Sequence, residues 1–489
     1  LAQSRQVADA LALAHPGLEV RLVPIDTRGD RDRTTPLQRV SDPAFFSAEI
    51  DIALQDGVVD FTVHSRKDLE GPRPPGVVTA AMPVRANPQD VVLFRPTVVE
   101  KLRHGETLTI GTSSVRRARH VERFLKRALP QLAGEPRLSC QPLRGPVDQR
   151  IQRLHADGDD ALDGVVLALA GLERLWSDRD ARTAIEAGLR GVRRMVLPLS
   201  ECPTAPGQGA LVIECRADDV DTRERLGALH DAGTAAAVAA EFAAAEQAQG
   251  QALAEVGATA VSVARLGQLL FMRGTGNRVR DIHWSAPPEP GRDARPWDGT
   301  HWHQSCAYRP LDWLQPAPGS AVFVAHSRAL SGGNQWLETQ RVWVSGWASW
   351  QRLSQSGQWV EGCADSLGFD AVSPLLTSKV LRLPALSEWS VLTRSGAEHT
   401  WHGSGVGRVL ATYAMDDPDD HTRERLCNEA REATHFYWSS AEQFLALRHC
   451  LPDRAAHACG TGKTYDALLK LGVRPQPFPN RAAWQAWLN

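Results

Sequence analysis

The sequence lacks a long hydrophobic run, a signal-peptide core at its start and an excess of either charge. A helix that spans a bilayer needs roughly 18 to 20 apolar residues, and no run approaches that length, so we expect no membrane partner and a cytoplasmic location. Lys and Arg total 55 against 57 for Asp and Glu, a net charge of −2, which argues against a nucleic-acid partner.

Closely spaced cysteine pairs are also lacking. The eight cysteines are scattered without any CxxC pair, at positions 140, 202, 215, 306, 363, 427, 450 and 459. This spacing predicts reduced thiols rather than a disulfide framework, and it does not favour a structural zinc site. We therefore expect no bound metal.

The composition is that of a folded protein with several domains. Hydrophobic residues make up 43% and charged residues 23% of 489 residues, and a usual domain size of roughly 100 to 200 residues predicts three or four units. Strand-like segments alternate with helical stretches, which predicts α/β layers. An Ala-rich helix after Asp231 and short strands then predict a smaller α+β domain, which ends at the Pro- and Gly-rich segment APPEPGRDARPWDG.

A weak internal repeat follows a second breaker, QPAPGS at 315–320. VFVAHSRAL and RVWVSGWASW are echoed by HFYWSSAEQFLAL and AAHACGTGKTYDALL. In each copy a strand runs into a small-polar turn, and a later strand runs into a helix. Such a duplication predicts two similar α/β lobes with a cleft between them.

Three turns at predicted strand ends carry basic residues. In VHSRKDL, a strand delivers Ser65, Lys67 and Asp68 to its C-terminal end, where α/β sheets place ligand groups. A surface turn with a local ion pair is the simpler interpretation of this segment. Both interpretations stay open on the local sequence.

The other two turns lead into helices. IGTSSVRR predicts an anion site because free N–H groups, the helix dipole and guanidinium groups all favour negative charge there; its candidates are Thr112, Ser113, Ser114, Arg116 and Arg117. PLRGPVDQRIQRL is a similar turn, with Arg144, Gly145 and Arg150. Adjacent arginines often lie on the solvent face of a helix, but three basic turns in a near-neutral chain favour a cleft for a polycarboxylate.

The segment CGTGKTYD superficially matches the end of a phosphate-binding loop. The motif G-x-x-x-x-G-K-[ST] requires a glycine five residues before Gly462, and that residue is His457. We therefore expect no bound nucleotide.

Six segments in collinear order resemble the blocks of porphobilinogen deaminase, also called hydroxymethylbilane synthase: PIDTRGD, VHSRKDL, GTSSVRR, LRGPVDQRIQRL, DGVVLALAGLERL and APGQGALVIECR. The resemblance covers about residues 1–310 and is clearest up to about Ala260. It implies two α/β domains like those of periplasmic binding proteins, residues 1–85 with 195–217 and residues 86–194, and a small α+β domain, residues 218–312. It also implies a transferase of haem biosynthesis that condenses four porphobilinogens, with loss of ammonia, on a covalently held dipyrromethane.

The resemblance assigns roles to the residues of the three turns. Asp68, after Lys67, is implied to be the carboxylate that stabilises the cation left when ammonia departs. Bidentate cations suit the acetate and propionate arms of a growing pyrrole chain. The implied binding set is Lys67, Ser65, Thr112, Ser113, Ser114, Arg116, Arg117, Arg144, Gly145 and Arg150.

One residue that the resemblance requires is missing. The family attaches its dipyrromethane through a cysteine in the third domain, and in this sequence Gly257 lies at about that position. No cysteine occurs between Cys215 and Cys306. The usual thioether therefore cannot form.

Residues 320–489 resemble uroporphyrinogen-III synthase in the segments THFYWSSAEQF, HACGTGKTYDALLKLGV and ATYAM. That family closes the linear tetrapyrrole, with inversion of one pyrrole, in a cleft between two lobes. Its resemblance implies a lyase-type second activity. The hydroxyls at the turns of the repeat are candidates for binding propionates, or alternatively ordinary helix N-caps: Ser439, Ser440, Thr461 and Thr464.

The sequence thus predicts an α/β fusion protein that acts on small pyrrole polycarboxylates. Because the attachment cysteine is absent, one alternative is a non-catalytic relative that binds porphobilinogen or a bilane as a carrier or regulator. A second alternative is a structural partner of other tetrapyrrole enzymes. Asp68, Arg116 and Arg117 argue against this second alternative, since a scaffold does not need an acid and paired cations at strand ends.

Overall fold

The computed structural model describes residues 1–27, 47–69, 71–248, 255–274, 280–291, 293–317, 319–330, 337 and 339–489. Its helices, in chain order, are α1 (Ala2–Ala14), α2 (Ala48–Gln55), α3 (Val98–Arg103), α4 (Val115–Ala128), α5 (Val147–Gln152), α6 (Leu169–Ser177), α7 (Arg182–Gly188), α8 (Val220–Gly227), α9 (Ala232–Gln247), α10 (Thr300–Ser305), α11 (Trp347–Gln355), α12 (Ser373–Leu376), α13 (Asp420–Glu432), α14 (Ala441–Leu447), α15 (Lys463–Lys470) and α16 (Arg481–Leu488).

The strands alternate with these helices along much of the chain, as the sequence predicts for an α/β protein. They are β1 (Phe61–Ser65), β2 (Val77–Ala81), β3 (Asp90–Phe94), β4 (Leu108–Thr112), β5 (Leu138–Pro142), β6 (Gly164–Ala168), β7 (Arg193–Val196), β8 (Leu211–Arg216), β9 (Gly257–Val263), β10 (Gly267–Arg273), β11 (Arg280–Trp284), β12 (Pro296–Trp297), β13 (Tyr308–Pro310), β14 (Ala321–Val324), β15 (Arg341–Val344), β16 (Gly362–Cys363), β17 (Trp389–Arg394), β18 (Arg408–Met415), β19 (His435–Trp438), β20 (Ala456–Cys459) and β21 (Gln476–Pro477).

Three sheets are built from the first 284 residues. The order β1-β8-β2 forms an antiparallel sheet, and β5-β4-β6-β3-β7 forms a mixed sheet in which β4 runs parallel to both β5 and β6. The antiparallel sheet β11-β10-β9 lies in the segment where a small α+β domain is expected. Helix α9 packs against β9 and β10 of this sheet.

Two further sheets contain the predicted repeat. The sheet β13-β18-β17-β14-β15-β16 is parallel except at β13, and the sheet β12-β19-β20-β21 is parallel throughout. The first copy of the repeat supplies the adjacent strands β14 and β15, and the second copy supplies β19 and β20. The two copies therefore lie in different sheets, which we call the six-stranded lobe and the four-stranded lobe.

The predicted start of the last part at residue 320 is too late. Strand β12 pairs with β19 and β13 pairs with β18, so residues 296–310 belong to the two lobes rather than to the preceding α+β sheet. The change of sheet coincides with the Pro- and Gly-rich segment after Trp284, and QPAPGS connects strands within the six-stranded lobe. We call residues 1–291 the N-terminal part and residues 293–489 the C-terminal part.

Two strands, β3 and β14, are buried on both faces and contribute to two hydrophobic cores. In β3, Val92 and Phe94 contribute to one hydrophobic core, whereas Val91 and Leu93 contribute to another. Successive side chains of a strand point to opposite faces, so an uninterrupted apolar strand marks a sheet covered on both sides. Strand β14 shows the same division, and its residues join the same two cores.

The N-terminal and C-terminal parts are joined by hydrogen bonds as well as by this shared core. Trp350 Nε1 and Ser354 Oγ, both on α11, donate to the carbonyl oxygen of Ala128 at 3.0 and 2.7 Å. These bonds satisfy a carbonyl at the C-terminal end of α4 that the helix itself leaves unpaired. The amide of Val196 donates to the carbonyl of Glu361 at 2.7 Å, next to the strand pair β7 and β16.

The expectation that all cysteines are reduced is wrong in one place. Cys427 on α13 and Cys450 form a disulfide with a Cα–Cα distance of 5.5 Å. The two residues are 23 apart, and they meet because α13 contacts α14 and the short segment that follows α14, which spacing alone does not show. Within the part of the chain that the structure describes, no helix is long and apolar enough to cross a membrane.

Candidate functional site

The predicted site residues of the N-terminal part come from strand ends that face the same way. Strands β4 and β5 are parallel, so Thr112 and Pro142 end side by side and the turns that follow them are neighbours. Strand β3 runs antiparallel to β6, which places its first residue, Asp90, at the corresponding end of the sheet. In the neighbouring sheet, Ser65 ends β1 beside Leu211, the first residue of β8.

Asp90 is the centre of a buried ion-pair network in this region. Arg117 donates to both of its carboxylate oxygens, at 3.1 and 2.8 Å, and Arg116 Nη2 donates at 3.2 Å. Gln208 Nε2 adds a bond of 2.7 Å. The exposed fractions of Asp90, Arg116 and Arg117 are 0%, 2% and 6%. The paired arginines of the GTSSVRR segment are therefore bound to an internal carboxylate.

The electrostatics of Asp90 agree with this geometry. Burial alone would raise the pKa of its carboxyl, but the charges of Arg117 and Arg116 and the bonds from Arg117 and Gln208 lower the pKa well below its usual range. A carboxylate held between two guanidinium groups stays ionised because each cation stabilises the charged form. Arg116 also donates to the carbonyl of Pro203 at 2.8 Å, which fixes its orientation.

Lys67 and Asp68 follow β1 in a short 3-10 helix, Arg66–Asp68. The Nζ of Lys67 lies 3.5 Å from Oε1 of Gln208, the same amide that contacts Asp90. Burial lowers the pKa of Lys67, while the adjacent Asp68 opposes the shift. Asp68 itself is exposed, and Ser65 is half-buried beside it. The acid predicted to be catalytic is thus accessible to a ligand.

Arg144 and Arg150 are the cations of this region that no described carboxylate neutralises. Arg150 donates to the carbonyl of Gly145 at 2.7 Å and reaches Ser113 Oγ at 3.4 Å. Burial, followed by the charges of Arg117 and Arg144, lowers the pKa of Arg150 to about 10. Arg144 Nη1 is buried and has no hydrogen-bond partner among the residues that the structure describes. An anion placed between these two arginines would relieve their repulsion and satisfy that donor.

The remaining predicted residues of these turns have local roles. Ser114 is the N-cap of α4 and accepts from the amide of Arg117 at 3.4 Å. Thr112 is buried and accepts from the amide of Ser114 at 3.4 Å. Gly145 has φ of +102°, a conformation that favours glycine and that lets its carbonyl meet Arg150. These residues shape the turns that present the arginines.

Gly257 begins β9 and is packed directly against the segment of Pro203. A Cβ at Gly257 would clash with the carbonyl oxygen of Pro203. The approach is held by two bonds, from the amide of Ala258 to the carbonyl of Thr204 at 2.9 Å and from the amide of Thr204 to Thr259 Oγ1 at 2.7 Å. The backbone geometry at this position therefore admits no side chain.

The C-terminal part contains a second candidate site, a cavity of about 740 Å³ lined by residues of both lobes. The lobes touch at its floor, where a Cβ added to Gly368 would lie 3.2 Å from the Cα of Gly462. Gly368 has φ of +96°. A side chain at Gly368 would be strained at this φ and crowded against Gly462, whereas a Cβ at Gly462 would make an ordinary contact of 3.5 Å with Gly368, so the close approach of the lobes depends on Gly368.

Basic side chains dominate the wall of this cavity: Arg328, Arg352, Arg394, Lys463 and Arg481. Glu442, which pairs with Arg394, is the only acid among the described residues that line it. Among the described residues, the guanidinium groups of Arg328 and Arg352 contact neutral groups, Met415 Sδ at 3.3 Å and Ser327 Oγ at 3.5 Å. Burial, then the charges of Arg328 and Arg481, lowers the pKa of His303. The cleft is suited to a ligand with several negative charges.

Three of the four predicted hydroxyls line this cavity, namely Ser439, Ser440 and Thr464. Ser440 caps α14 in a capping box with Gln443, which is the N-cap role left open by the sequence. Thr464 Oγ1 donates to the carbonyl of Ser439 at 3.0 Å. The structure does not place Thr461 with them, because its buried hydroxyl donates to the carbonyl of Leu367 at 2.9 Å and it lines a different cavity.

Comparisons with known proteins bear on these two sites. A sequence profile described as porphobilinogen deaminase, dipyromethane cofactor binding domain, matches residues 1–224. Porphobilinogen deaminase of Syntrophotalea carbinolica is 37% identical over 243 residues, which is 49% of this chain and 68% of that protein. The protein of the same name from a Roseiflexus species is 36% identical over 296 residues, 59% of this chain and 88% of its own length. The chain belongs to the porphobilinogen deaminase family.

Membership of the deaminase family confirms the expected place of the chain in tetrapyrrole biosynthesis. Among solved structures, uroporphyrinogen-III synthetase of Helicobacter pylori aligns with 37% of this chain and 87% of its own, at 12% identity and a TM-score of 0.25. A likeness at that score carries no weight for the assignment. The cavity and its charges characterise the C-terminal part independently.

The cofactor named in the deaminase profile, a dipyrromethane, can be tested against the residues present. Arg144 and Arg150 suit its carboxylates, but a thiol for its attachment is not in reach. Gly257 has no room for a side chain, and Cys202, next to Pro203, is 1% exposed with Sγ near the carbonyl of His120 at 3.7 Å. Burial raises the pKa of the Cys202 thiol. The residues fit the carboxylates of the cofactor but not its covalent link.

Among the described residues, two clusters have ligand atoms close enough to hold a metal ion. In the first, Asp51, His64 and Glu214 surround Arg73, whose guanidinium bonds to Asp51 at 2.5 Å and to Glu214 at 2.8 Å and so already neutralises the acids. The second consists of the disulfide residues Cys427 and Cys450 with His449. In the first cluster the acids are paired with Arg73, and in the second the two sulfurs are bonded to each other.

Sequence reasoning missed the residues that decide which cations of the N-terminal candidate site pair with a described carboxylate. Asp90 opens the apolar run DVVLF, and an acid at the start of a strand buried on both faces was the available signal. Gln208 lies in the APGQG segment without a distinguishing pattern. The cleft cations Arg328, Arg352 and Arg394 are isolated in the sequence, so only the fold groups them.

Proposed function

We propose that this chain carries out two consecutive steps of tetrapyrrole biosynthesis. The N-terminal part joins four porphobilinogens with loss of ammonia, and the C-terminal part closes the linear product into a ring. The observation that supports both steps is a surplus of cations at each site that have no carboxylate partner in the described part of the chain, Arg144 and Arg150 in one and Arg328, Arg352 and Lys463 in the other. Pyrrole units with acetate and propionate arms are ligands of matching charge.

In the N-terminal part, the sheet β1-β8-β2 and the five-stranded sheet would belong to the two periplasmic-binding-protein-like domains, one on either side of the substrate. The exposed carboxylate of Asp68 would accept the pyrrole N–H and stabilise the cation formed when ammonia leaves. Lys67 would hold a carboxylate arm from the same turn. Arg116 and Arg117 would act indirectly, since Asp90 engages both and they in turn support α4.

In the C-terminal part, the cations on opposing walls would hold separate carboxylate arms of one linear tetrapyrrole. Binding both ends of a flexible chain in one cavity brings the reacting ends together. The entropy lost in bringing them together is then offset by binding and no longer adds to the barrier of ring closure. The fusion also keeps the product of the first step near the second site at high effective concentration. No nucleic acid, membrane or nucleotide has a role in this proposal.

A second candidate function is reversible binding of a pyrrole polycarboxylate without turnover. The observation that favours it is the absence of room for an attachment residue at Gly257. Binding alone would still use Arg144 and Arg150 but would not require Asp68.

Ammonia release from porphobilinogen separates the two candidates. We expect release by the full chain and a fall of at least about 100-fold in Asp68→Ala, because one positioned acid or base contributes roughly 10²- to 10⁴-fold. Asp56→Ala, which removes an exposed carboxylate at the end of α2, is the matched control and should retain full activity. Equal release by wild type and Asp68→Ala would remove Asp68 from the mechanism, and no release by wild type would leave binding as the function.

A further inference from the structure

We infer that the N-terminal part holds its pyrrole ligand only by reversible ionic contacts and never through a covalent bond to the chain. This inference rests on the proposed function, of which it specifies the mode of substrate retention. Its basis is the close backbone contact at Gly257, the burial of the thiols and the two arginines for which the described residues provide no carboxylate partner.

The contact at Gly257 is more than a missing cysteine. The amide of its neighbour Ala258 donates a hydrogen bond to Thr204, and the amide of Thr204 donates one to Thr259. The backbone around Pro203 is thereby held in the space where a side chain of Gly257 would begin. Arg116 donates to the carbonyl of the same Pro203 and connects this contact to Asp90. The space for an attached group has been taken by an internal packing contact that the ion-pair network supports.

No other thiol can replace the missing one. Cys202 lies beside the contact but is buried, with a raised pKa. Cys140 is half-buried with Sγ 3.6 Å from the carbonyl of Ala118 on α4, and burial raises its pKa to about 11. The thiolate is the nucleophilic form, so buried thiols with raised pKa values are unreactive. The other cysteines are buried or form the disulfide: Cys215, Cys306, Cys363, Cys459, Cys427 and Cys450.

The amine of Lys67 is a nucleophile of another kind, but it gives no lasting attachment. A bond from Nζ to the methylene carbon of a pyrrole is the same kind of carbon–nitrogen bond as the aminomethyl group of porphobilinogen. That bond breaks when ammonia leaves in the condensation. A link through Lys67 would therefore be lost by the chemistry that forms the chain.

Ionic retention is what the site does provide. Arg144 has a buried donor without a partner, and Arg150 has no described carboxylate beside it, while Arg116 and Arg117 are satisfied by Asp90. A bound carboxylate would complete the first pair and would leave the second pair unchanged. Such contacts weaken with ionic strength because salt screens them.

Mass spectrometry of the intact, denatured full-length chain tests the absence of a covalent link. After incubation with porphobilinogen and denaturation in acid, we expect the mass calculated from the sequence, without added pyrrole units. An adduct that survives denaturation would overturn the inference, and peptide mapping would identify the attachment residue. Ammonia release in the same sample would show that the proposed function stands in that case.

Calorimetry with porphobilinogen under native conditions tests the ionic part. We expect saturable binding that weakens at least tenfold in Arg144→Gln/Arg150→Gln and as salt is raised from 50 to roughly 500 mM. Arg153→Gln, at a half-buried arginine that follows α5 and pairs with Asp160, is the control and should bind as wild type. Undiminished binding by the double variant would overturn the assignment of these two arginines, and no binding by wild type would reject the proposed function as well.

Discussion

The two candidate sites of this chain differ in how their arginines are neutralised. In the N-terminal part, Arg116 and Arg117 share one buried carboxylate, and Arg144 and Arg150 have none among the residues that the structure describes. In the C-terminal cleft, one acid, Glu442, serves a wall of five basic residues. An arginine at a cleft is therefore available to an anionic ligand only where no internal acid has already bound it. Burial and the acid partner distinguish structural arginines from ligand-binding ones.

The largest expected effect is that of Asp90→Ala on stability. The substitution leaves two buried guanidinium groups without their carboxylate, and breaking a buried ion pair on one side costs about 3–5 kcal/mol. Chemical denaturation of the variant and the wild type measures the difference in the free energy of unfolding. Asp68→Ala, at an exposed acid in the same region, should change it by no more than about 0.5 kcal/mol. A loss below about 1 kcal/mol for Asp90→Ala would mean that Arg116 and Arg117 are not committed to Asp90.

Whether the sequence can separate structural arginines from ligand-binding ones depends on how far apart in the sequence an arginine and its acid partner lie. Strand β4 and the helix beginning after Ser114 follow from IGTSSVRR, because the apolar strand, the capping serine and the basic helix are contiguous. The partner of the arginines is 26 residues away from Arg116, in a strand of the same sheet, and no local pattern joins them. The candidate residues were therefore predictable, whereas their state of neutralisation required the fold.

The C-terminal cleft illustrates the same limit. The repeat predicts two lobes and a cleft, since each copy carries a complete strand and turn pattern. The hydroxyls at its turns were visible as a cluster, but the cations come singly from the ends of separate elements. Thr461 is the opposite case. Its position after a strand predicted a residue that faces the cleft, but its hydroxyl forms a hydrogen bond to Leu367 of the other lobe.

The next effect concerns His120, which is buried beside the arginine network. Burial, then the charge of Arg116, lowers its pKa to about 3, so the folded protein holds it neutral. The unfolded chain, with a pKa of about 6.5, binds the proton first as pH falls, so unfolding becomes easier between about pH 6.5 and 3. At pH 4.5 this contribution is about 2–3 kcal/mol relative to pH 7.

Unfolding free energies at pH 7 and pH 4.5 check this expectation. His120→Gln, which keeps an N–H donor for the carbonyl of Gly274, should lose less stability on acidification than wild type. His402→Gln, at an exposed histidine, is the control and should behave as wild type. An unchanged pH dependence in His120→Gln would show that the charges of the network do not act on this ring.

The smallest expected effects are on ligand affinity in the C-terminal cleft. Removal of a cation there should lower the affinity for a polycarboxylate, and removal of the acid Glu442 should raise it. Arg328→Gln removes a cation that contacts only Met415, so we expect affinity for uroporphyrin I, an octacarboxylate, to fall about threefold to tenfold, a loss on the order of 1 kcal/mol. Arg408→Gln, at an exposed arginine outside the cavity wall, is the matched control.

Glu442→Gln completes the comparison with Asp90. It removes the only acid among the described residues of the cavity wall, so repulsion of a polycarboxylate falls and Arg394 becomes free to bind it. We expect affinity for uroporphyrin I to rise about twofold to threefold with little loss of stability, since Glu442 is half-buried rather than enclosed. Calorimetry and denaturation together measure both quantities. A large loss of stability would place Glu442 with Asp90 as a structural acid, and Arg394 would then be a structural arginine as well.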